Sequence, residues 1–275
     1  STQVYVSDMA ANALVAFDQR TGATNWTTAS TPGVLRAPSS ITGLPGGGVA
    51  ALDAAGMLVR IDRRGRLMSS ASLIDGNIAR QICAFDDSTF LIAYMRQRFP
   101  LSIVDAAGHT QKQLELPWEK LREMTPMQTQ LLLAGASANR CIVSLAFGQG
   151  FAALRKESVE WVAPYVESVA IPGVDAKTTT QGSAANTVSH IDARHVAVRD
   201  LSADGDAIEM IFEGATRQQG SFIDQYQAST GAYRGTRLAS RRVVGIQTSG
   251  ERAFFLVGLQ GYPALVALRM SDQPK

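Results

Sequence analysis

The sequence predicts an all-β fold: a ring of six four-stranded antiparallel blades, a six-bladed β-propeller. Three observations predict it. A hydrophobic strand ending in a short polar corner recurs along the chain, its copies are evenly spaced, and each unit grades from apolar middle strands to a polar outer one. The clearest copies are 13–18 (ALVAFD) before Thr21-Gly22, 58–62 (LVRID) before Gly65, 101–105 (LSIVD) before Gly108, 221–226 (SFIDQY) before Thr230-Gly231, and 264–269 (ALVALR). Intervals of 44 and 43 residues separate Asp18, Asp62 and Asp105, and 42 separate Gln227 from Arg269. A period of this size marks one supersecondary unit copied around a ring or along a rod. Six units of about 45 residues, each four short strands plus turns, fill the chain, so residues 1–275 read as one domain.

The elements follow in order. An inner strand opens each unit, at 34–41, 78–85, 194–200 and 242–248. A strongly apolar second strand follows, at 49–52, 90–95, 141–147, 207–212 and 253–257. The third strand ends at the corner, where Asp starts the turn and Gly supplies positive φ. The fourth strand is polar: 23–30, 67–73, 110–116 and 232–240. Middle strands apolar on both faces suit sheets packed face to face, whereas a sheet with one solvated face would alternate. The first unit lacks an inner strand and the last lacks an outer one. Two segments depart from the pattern. The stretch 117–124 (PWEKLREM) reads as a short helical excursion, with Pro at its start and Trp118, Leu121 and Met124 recurring every three residues. The polar stretch 173–189 reads as a long loop.

Composition narrows the function. A hydrophobic fraction of 45% and a charged fraction of 18% are globular values, and Lys plus Arg of 26 against Asp plus Glu of 24 leaves +2. That balance lacks the basic excess of a nucleic-acid binder, and the basic corner Arg63-Arg64-Gly65-Arg66 lacks stacking aromatics. The longest apolar region, 131–152, is broken by Asn139-Arg140 and several glycines, so the sequence shows no transmembrane segment of its own. Cys83 and Cys141 lie in apolar runs, which suggests two buried free thiols. A disulfide between neighbouring blades is the alternative, and spacing alone does not decide between them.

The stretch 221–239 (SFIDQYQASTGAYRGTRLA) resembles bacterial six-bladed propellers with NHL-like repeats, which carry a strand of this kind before a Thr-Gly-x-Tyr corner. Residues 4–8 and 12–18 are similar to the same repeat. The likeness extends over 3–72 and 190–270, and it implies the propeller fold and export from the cytoplasm; most of that family has no assigned activity. Locally, 18–26 (DQRTGATNW) is similar to the corner of quinoprotein-type propellers, where Trp docks one blade on the next. It occurs once, so Trp26 is expected to serve blade packing, and no quinone or other cofactor is inferred.

Candidate chemistry is sparse. His190 and His195 lie five apart and would face opposite sides of a strand, which argues against a shared metal ion. The run from Asp200 to Asp206 lacks the spacing of a calcium loop and reads as a hairpin, as does Gly148-Gln149-Gly150 between two apolar strands. No nucleophile-elbow, zinc-hydrolase or P-loop motif occurs. Arginine is what the inner strands offer: Arg36, Arg80, Arg194, Arg241 and Arg242 fall near their starts, which gather at one mouth of the channel. They form a candidate rim for an anion or an acidic partner loop; the alternative is that each pairs locally. Trp118, Leu121 and Arg122, with Arg96 and Phe99, form a candidate partner anchor; the alternative is that Trp118, Leu121 and Met124 seal the ring's edge. These readings point to a non-catalytic binding or scaffold module, an accessory subunit docked on the extracytoplasmic side of a larger complex, including a membrane one. The alternatives are a lyase- or lactonase-type propeller with a channel-bound divalent metal, and a small-anion or sugar binder.

Overall fold

Aspartate closes the corners of the repeat. Asp62 Oδ1 accepts the amides of Arg64 at 2.8 Å and Arg66 at 2.9 Å, and Asp105 Oδ1 accepts those of Ala107 and His109, both at 2.9 Å. Gly65 and Gly108, each at φ 82°, take the left-handed position of these turns. The amide of Arg66 for Asp62, and that of His109 for Asp105, hold both carboxyls below the usual carboxylate range. These acids are therefore committed to chain reversal.

The corners join strands into six antiparallel sheets, seen in a computed structural model that describes residues 3–29, 35–73, 78–95, 99–116, 118, 124–125, 128–136, 139–148, 150–167, 169–181, 184–191, 196–214, 222–239, 242–249, 252–259 and 262–269. Blade 1 holds β1 (Gln3–Asp8), β2 (Ala13–Asp18) and β3 (Thr24–Thr27). Blade 2 holds β4 (Pro38–Gly43), β5 (Val49–Asp53), β6 (Met57–Ile61) and β7 (Leu67–Ser72). Blade 3 holds β8 (Ala79–Ala84), β9 (Thr89–Tyr94), β10 (Leu101–Asp105) and β11 (Thr110–Leu114). Blade 4 holds β12 (Leu131–Ala136), β13 (Arg140–Leu145), β14 (Gly150–Leu154) and β15 (Val159–Pro164). A two-stranded hairpin, β16 (Val174–Gln181) with β17 (Ala184–Ile191), is inserted before blade 5. Blade 5 holds β18 (Val198–Asp204), β19 (Ala207–Phe212), β20 (Phe222–Gln227) and β21 (Tyr233–Leu238); blade 6 holds β22 (Val243–Ser249), β23 (Arg252–Leu259) and β24 (Tyr262–Arg269).

Two recurring register shifts identify each strand's place in its blade. One separates inner from second strand, at Pro38/Ser40, Ala79/Gln81, Val198/Asp200 and Val243/Gly245. The other separates third from fourth, as at Ala16/Phe17, Arg60/Ile61 and Gln225/Tyr226. By these marks β1–β3 are the second to fourth strands of blade 1, and β22–β24 are the first to third of blade 6. Among the described residues, blades 1 and 6 thus show three strands each. The core lies between blades: β5, β9, β13 and β14 are buried along their whole length, while β11 and β21 are largely exposed.

Tryptophan fastens blade to blade. Trp26 on β3 donates Nε1–H to Arg63 O at 3.0 Å, and its ring lies where a Cβ on Gly65 would be. Trp161 on β15 does the same to blade 5, donating to Ala228 O at 3.1 Å and covering Gly231. The single quinoprotein-like motif therefore understates the device. What Trp needs is a corner glycine on the next blade, and the residues before it are free to vary.

Two expectations are corrected. Cys83 of β8 and Cys141 of β13 are disulfide-bonded, not free thiols: the blade 3–4 seam brings their Cα atoms to 6.1 Å, within bridging range. Much of the predicted long loop at 173–189 is the β16–β17 ribbon, because its β-branched Thr and Val residues favour extended backbone despite their polarity. Of the predicted helix, Trp118 and Met124 are not helical, and Pro117 and residues 119–123 lie outside the described residues. Among the described residues no helix is long and apolar enough to cross a membrane.

Candidate functional site

The channel wall is organised by side chains of one inner strand accepting amides of the next. Ser40 Oγ accepts Ile82 N at 3.2 Å and Thr42 Oγ1 accepts Ala84 N at 3.3 Å. Between blades 5 and 6, Asp200 Oδ2 accepts Ile246 N at 2.8 Å and Ser202 Oγ accepts Thr248 N at 2.7 Å. Residues two apart on one strand thus meet residues two apart on the next, so neighbouring inner strands run parallel and in step. The physical need is plain: an inner strand hydrogen-bonds its own blade on one edge only, and its other amides must find acceptors. Asp200 is partly buried, and its desolvation pushes the carboxyl up to about 6 against the lowering by the Ile246 and Leu201 amides. In blade 3 the matching position, two residues past Gln81, is Cys83, where the bond to Cys141 makes the seam covalent.

Because the inner strands run the same way, their starts and ends define two different mouths. Arg36, Arg80 and Arg242 are exposed at the starting mouth, and Arg194 and Arg241 lie outside the described residues. Arg80 Nη2 contacts Met95 Sδ at 3.6 Å, and Arg242 Nη2 lies 3.7 Å from Glu213 Oε1. Arg199 joins them, its Nε donating to the same Glu213 carboxylate, which is 2% exposed. Sequence reading passed over Arg199; its place at the bulge, matching Arg80, is the signal that marks it. At this mouth Glu213 balances two of the cations locally.

The opposite mouth holds a cavity of about 440 Å³, lined by the ends of the inner strands and by β1. Its hydrogen-bonding side chains include Thr42, Asn139, Gln247 and Ser249, with Tyr5 and Phe254 as aromatic surfaces and Asp204 as the carboxylate. Among the described residues no group of three or more His, Cys, Asp or Glu is placed to hold a metal ion. Neutral amides and hydroxyls beside aromatic rings suit recognition of a neutral polar surface, such as a peptide backbone or a sugar.

The candidate anchor is divided. Trp118 is half-buried and packs with Leu114, Leu116 and Met124 on the blade 3–4 core, its Nε1 3.3 Å from where a Cβ on Gly150 would stand. Phe99 is half-buried at φ 51° before Pro100. Leu121, Arg122 and Arg96 lie outside the described residues, and His190 sits on β17 opposite Asp175.

No family model and no curated protein matches the chain. Solved structures do. A catalytically inactive virginiamycin B lyase from Staphylococcus aureus aligns at TM-score 0.55 and 14% identity, over 93% of this chain and 73% of that one. A protein of unknown function from Bacteroides caccae aligns at 0.55 and 11%, over 90% and 82%. U3-55K aligns at 0.54 and 8%, over 94% and 85%. At such identities the likeness is one of fold: the chain is a six-bladed β-propeller.

Proposed function

We propose that this propeller is a non-catalytic binding module, an accessory subunit that docks a protein partner on the extracytoplasmic side of a larger complex, including a membrane one. The observation that carries the reading is the make-up of the cavity, where amides, hydroxyls and aromatic rings outnumber titratable groups. The buried Cys83–Cys141 disulfide supports the compartment, since such bonds persist where the surroundings are oxidising. The test is the native mass of the chain after gentle extraction from its source cells. Co-migration with a larger assembly is the expected result; migration near 29.4 kDa overturns it.

A second reading has two observations behind it. One of the similar structures is a lyase, and Asp204 lines the cavity. A lyase or lactonase of this fold would bind a divalent ion in the channel, so metal analysis of purified protein separates the two. Exposed Arg36 and Arg80 keep anion binding at the starting mouth as a third reading. Arg36→Ala with Arg80→Ala should weaken capture of an acidic partner; unchanged binding removes that reading.

A further inference from the structure

The inserted hairpin is rooted firmly in the ring. Its first root is Pro172, which is buried and whose carbonyl accepts Gln128 Nε2 at 2.7 Å just before β12; Val174 then packs on the aromatic core between blades 4 and 5. Its second root is Ala197, fully buried, whose amide donates to Ala146 O at 2.8 Å as β18 begins. Both roots stand at the starts of inner strands, so β16 and β17 leave from the starting mouth. From there each runs eight residues, paired from Val174↔Ile191 to Gln181↔Ala184. That is a ribbon about 26 Å long at 3.3 Å per residue. Among the described residues it is a sheet of two strands, and no blade strand extends it. A two-stranded ribbon alone is marginal in water, because each outer edge keeps a row of main-chain N–H and C=O groups without a strand to pair with. Edge strands of the blades are guarded by charge: β11 carries Lys112, β15 Glu160, and β21 Arg234 and Arg237, while β7 starts behind Arg66. The span 178–189 of the ribbon (TTTQGSAANTVS) has neither a charged residue nor a proline, and its β-branched residues favour extended backbone. Charge returns at the root, where Arg36, Arg80 and Arg242 are exposed at the same mouth.

We propose that this ribbon is a docking arm: its outer edge adds to an open sheet edge of a protein partner, and the exposed arginines at its root take an acidic surface beside that edge. Main-chain pairing supplies the affinity, and the charge at the root supplies orientation and selects the partner. A second copy of the chain is the poorer fit, since it would bring another arginine-lined mouth to the place where acid is needed. The inference rests on the partner-binding reading and specifies which element holds the partner.

The experiment replaces Thr178–Thr187 by an Asn-Gly turn, which closes the hairpin at the Lys177↔Val188 pair, and compares the native masses of the intact and shortened chains in source cells. No described blade strand pairs with the ribbon, so the shortened chain should keep its Tm and yet migrate alone, while the intact chain co-migrates with the assembly. In the isolated assembly, amide exchange within 174–191 should be about tenfold slower than in the free chain. Should the shortened chain fail to fold, Thr178→Lys with Ala185→Lys decides. These positions are not cross-strand partners, so the ribbon stays while each strand gains a guarding charge, and this variant too should migrate alone; Thr178→Val with Ala185→Val should keep the complex. Co-migration of intact and altered chains alike, or exchange within 174–191 as fast in the assembly as in the free chain, overturns the docking arm and leaves the accessory reading standing. An intact chain that migrates near 29.4 kDa overturns both. A dimer of the intact chain that shortening dissolves overturns the acidic partner in favour of pairing between copies.

Discussion

The seam between blades 4 and 5 and the seam that closes the ring are made of different materials. The first is an aromatic stack: Phe151 lies 5.8 Å from Tyr165 in near-parallel planes and meets Tyr226 at 4.6 Å and Trp161 at 5.4 Å edge-on. Tyr165, fully buried, donates to Leu145 O at 2.6 Å, so even the polar atom of the stack is satisfied. The closing seam shows hydrogen bonds at one corner, from Gln19 Nε2 to Ser249 O at 3.4 Å and from Arg252 Nη1 to Gln19 O. Buried cores lie between the other five pairs of neighbouring blades, and among the described residues none lies here. A ring need not be uniformly strong. Its rigidity can be concentrated in one arc, leaving the closing seam as the place that opens first.

The largest effect is expected for Phe151→Ala, which empties the centre of the aromatic stack and should cost about 4 kcal/mol in urea unfolding; a loss under about 1 kcal/mol would mean that the blade 4–5 seam is not the strong one. Next comes the disulfide. Cys83→Ala with Cys141→Ala should cost about 3 kcal/mol by releasing the 58-residue closure. Cys83→Ser with Cys141→Ala should recover part of it, because a hydroxyl then stands where Thr42 and Ser202 have theirs.

Asp200 tests the amide-accepting pattern through pH. Its folded pKa of about 6 lies above the ordinary 3.8, so the folded state holds the proton more tightly. Stability from this group is complete at low pH and declines as pH rises from about 4 to about 6, by on the order of 2 kcal/mol. Asp200→Asn keeps a carbonyl oxygen for Ile246 N and should flatten that part of the Tm–pH curve; an unchanged slope would show that the carboxyl is not the group responsible. Smallest of all, Arg252→Ala at the closing corner should change global stability by less than about 1 kcal/mol. It should nonetheless speed hydrogen exchange in β22–β24, and equal slowing or no change there would remove the distinction between the two seams.

Much of this was legible in the chain. The Asp corners and the buried middle strands follow from residue type at a fixed period, because turn chemistry and burial on both faces are local demands. Blade 4 was harder to read, since its third strand β14 runs into Arg155 where Asp18, Asp62 and Asp105 close the third strands of blades 1 to 3. The candidate site was partly visible. Arg36, Arg80 and Arg242 do stand at one mouth, but Arg199 and Glu213 meet only after β18 and β19 have paired. The cavity at the other mouth is assembled from strand ends of every blade, none of which carries a motif. Ser40, Thr42, Asp200 and Ser202 read as ordinary polar residues until a second strand arrives to need them.

The repeat, the number of blades and the order of strands within each follow from the residues alone, because strand period and turn preference act over a few neighbouring residues. Only the tertiary structure decided which seam is covalent, which is aromatic and which is joined by a few corner hydrogen bonds among the described residues. Those outcomes depend on distances between residues about one blade or most of the chain apart, such as Cys83 to Cys141 and Gln19 to Ser249. Such distances exist only once the ring is built.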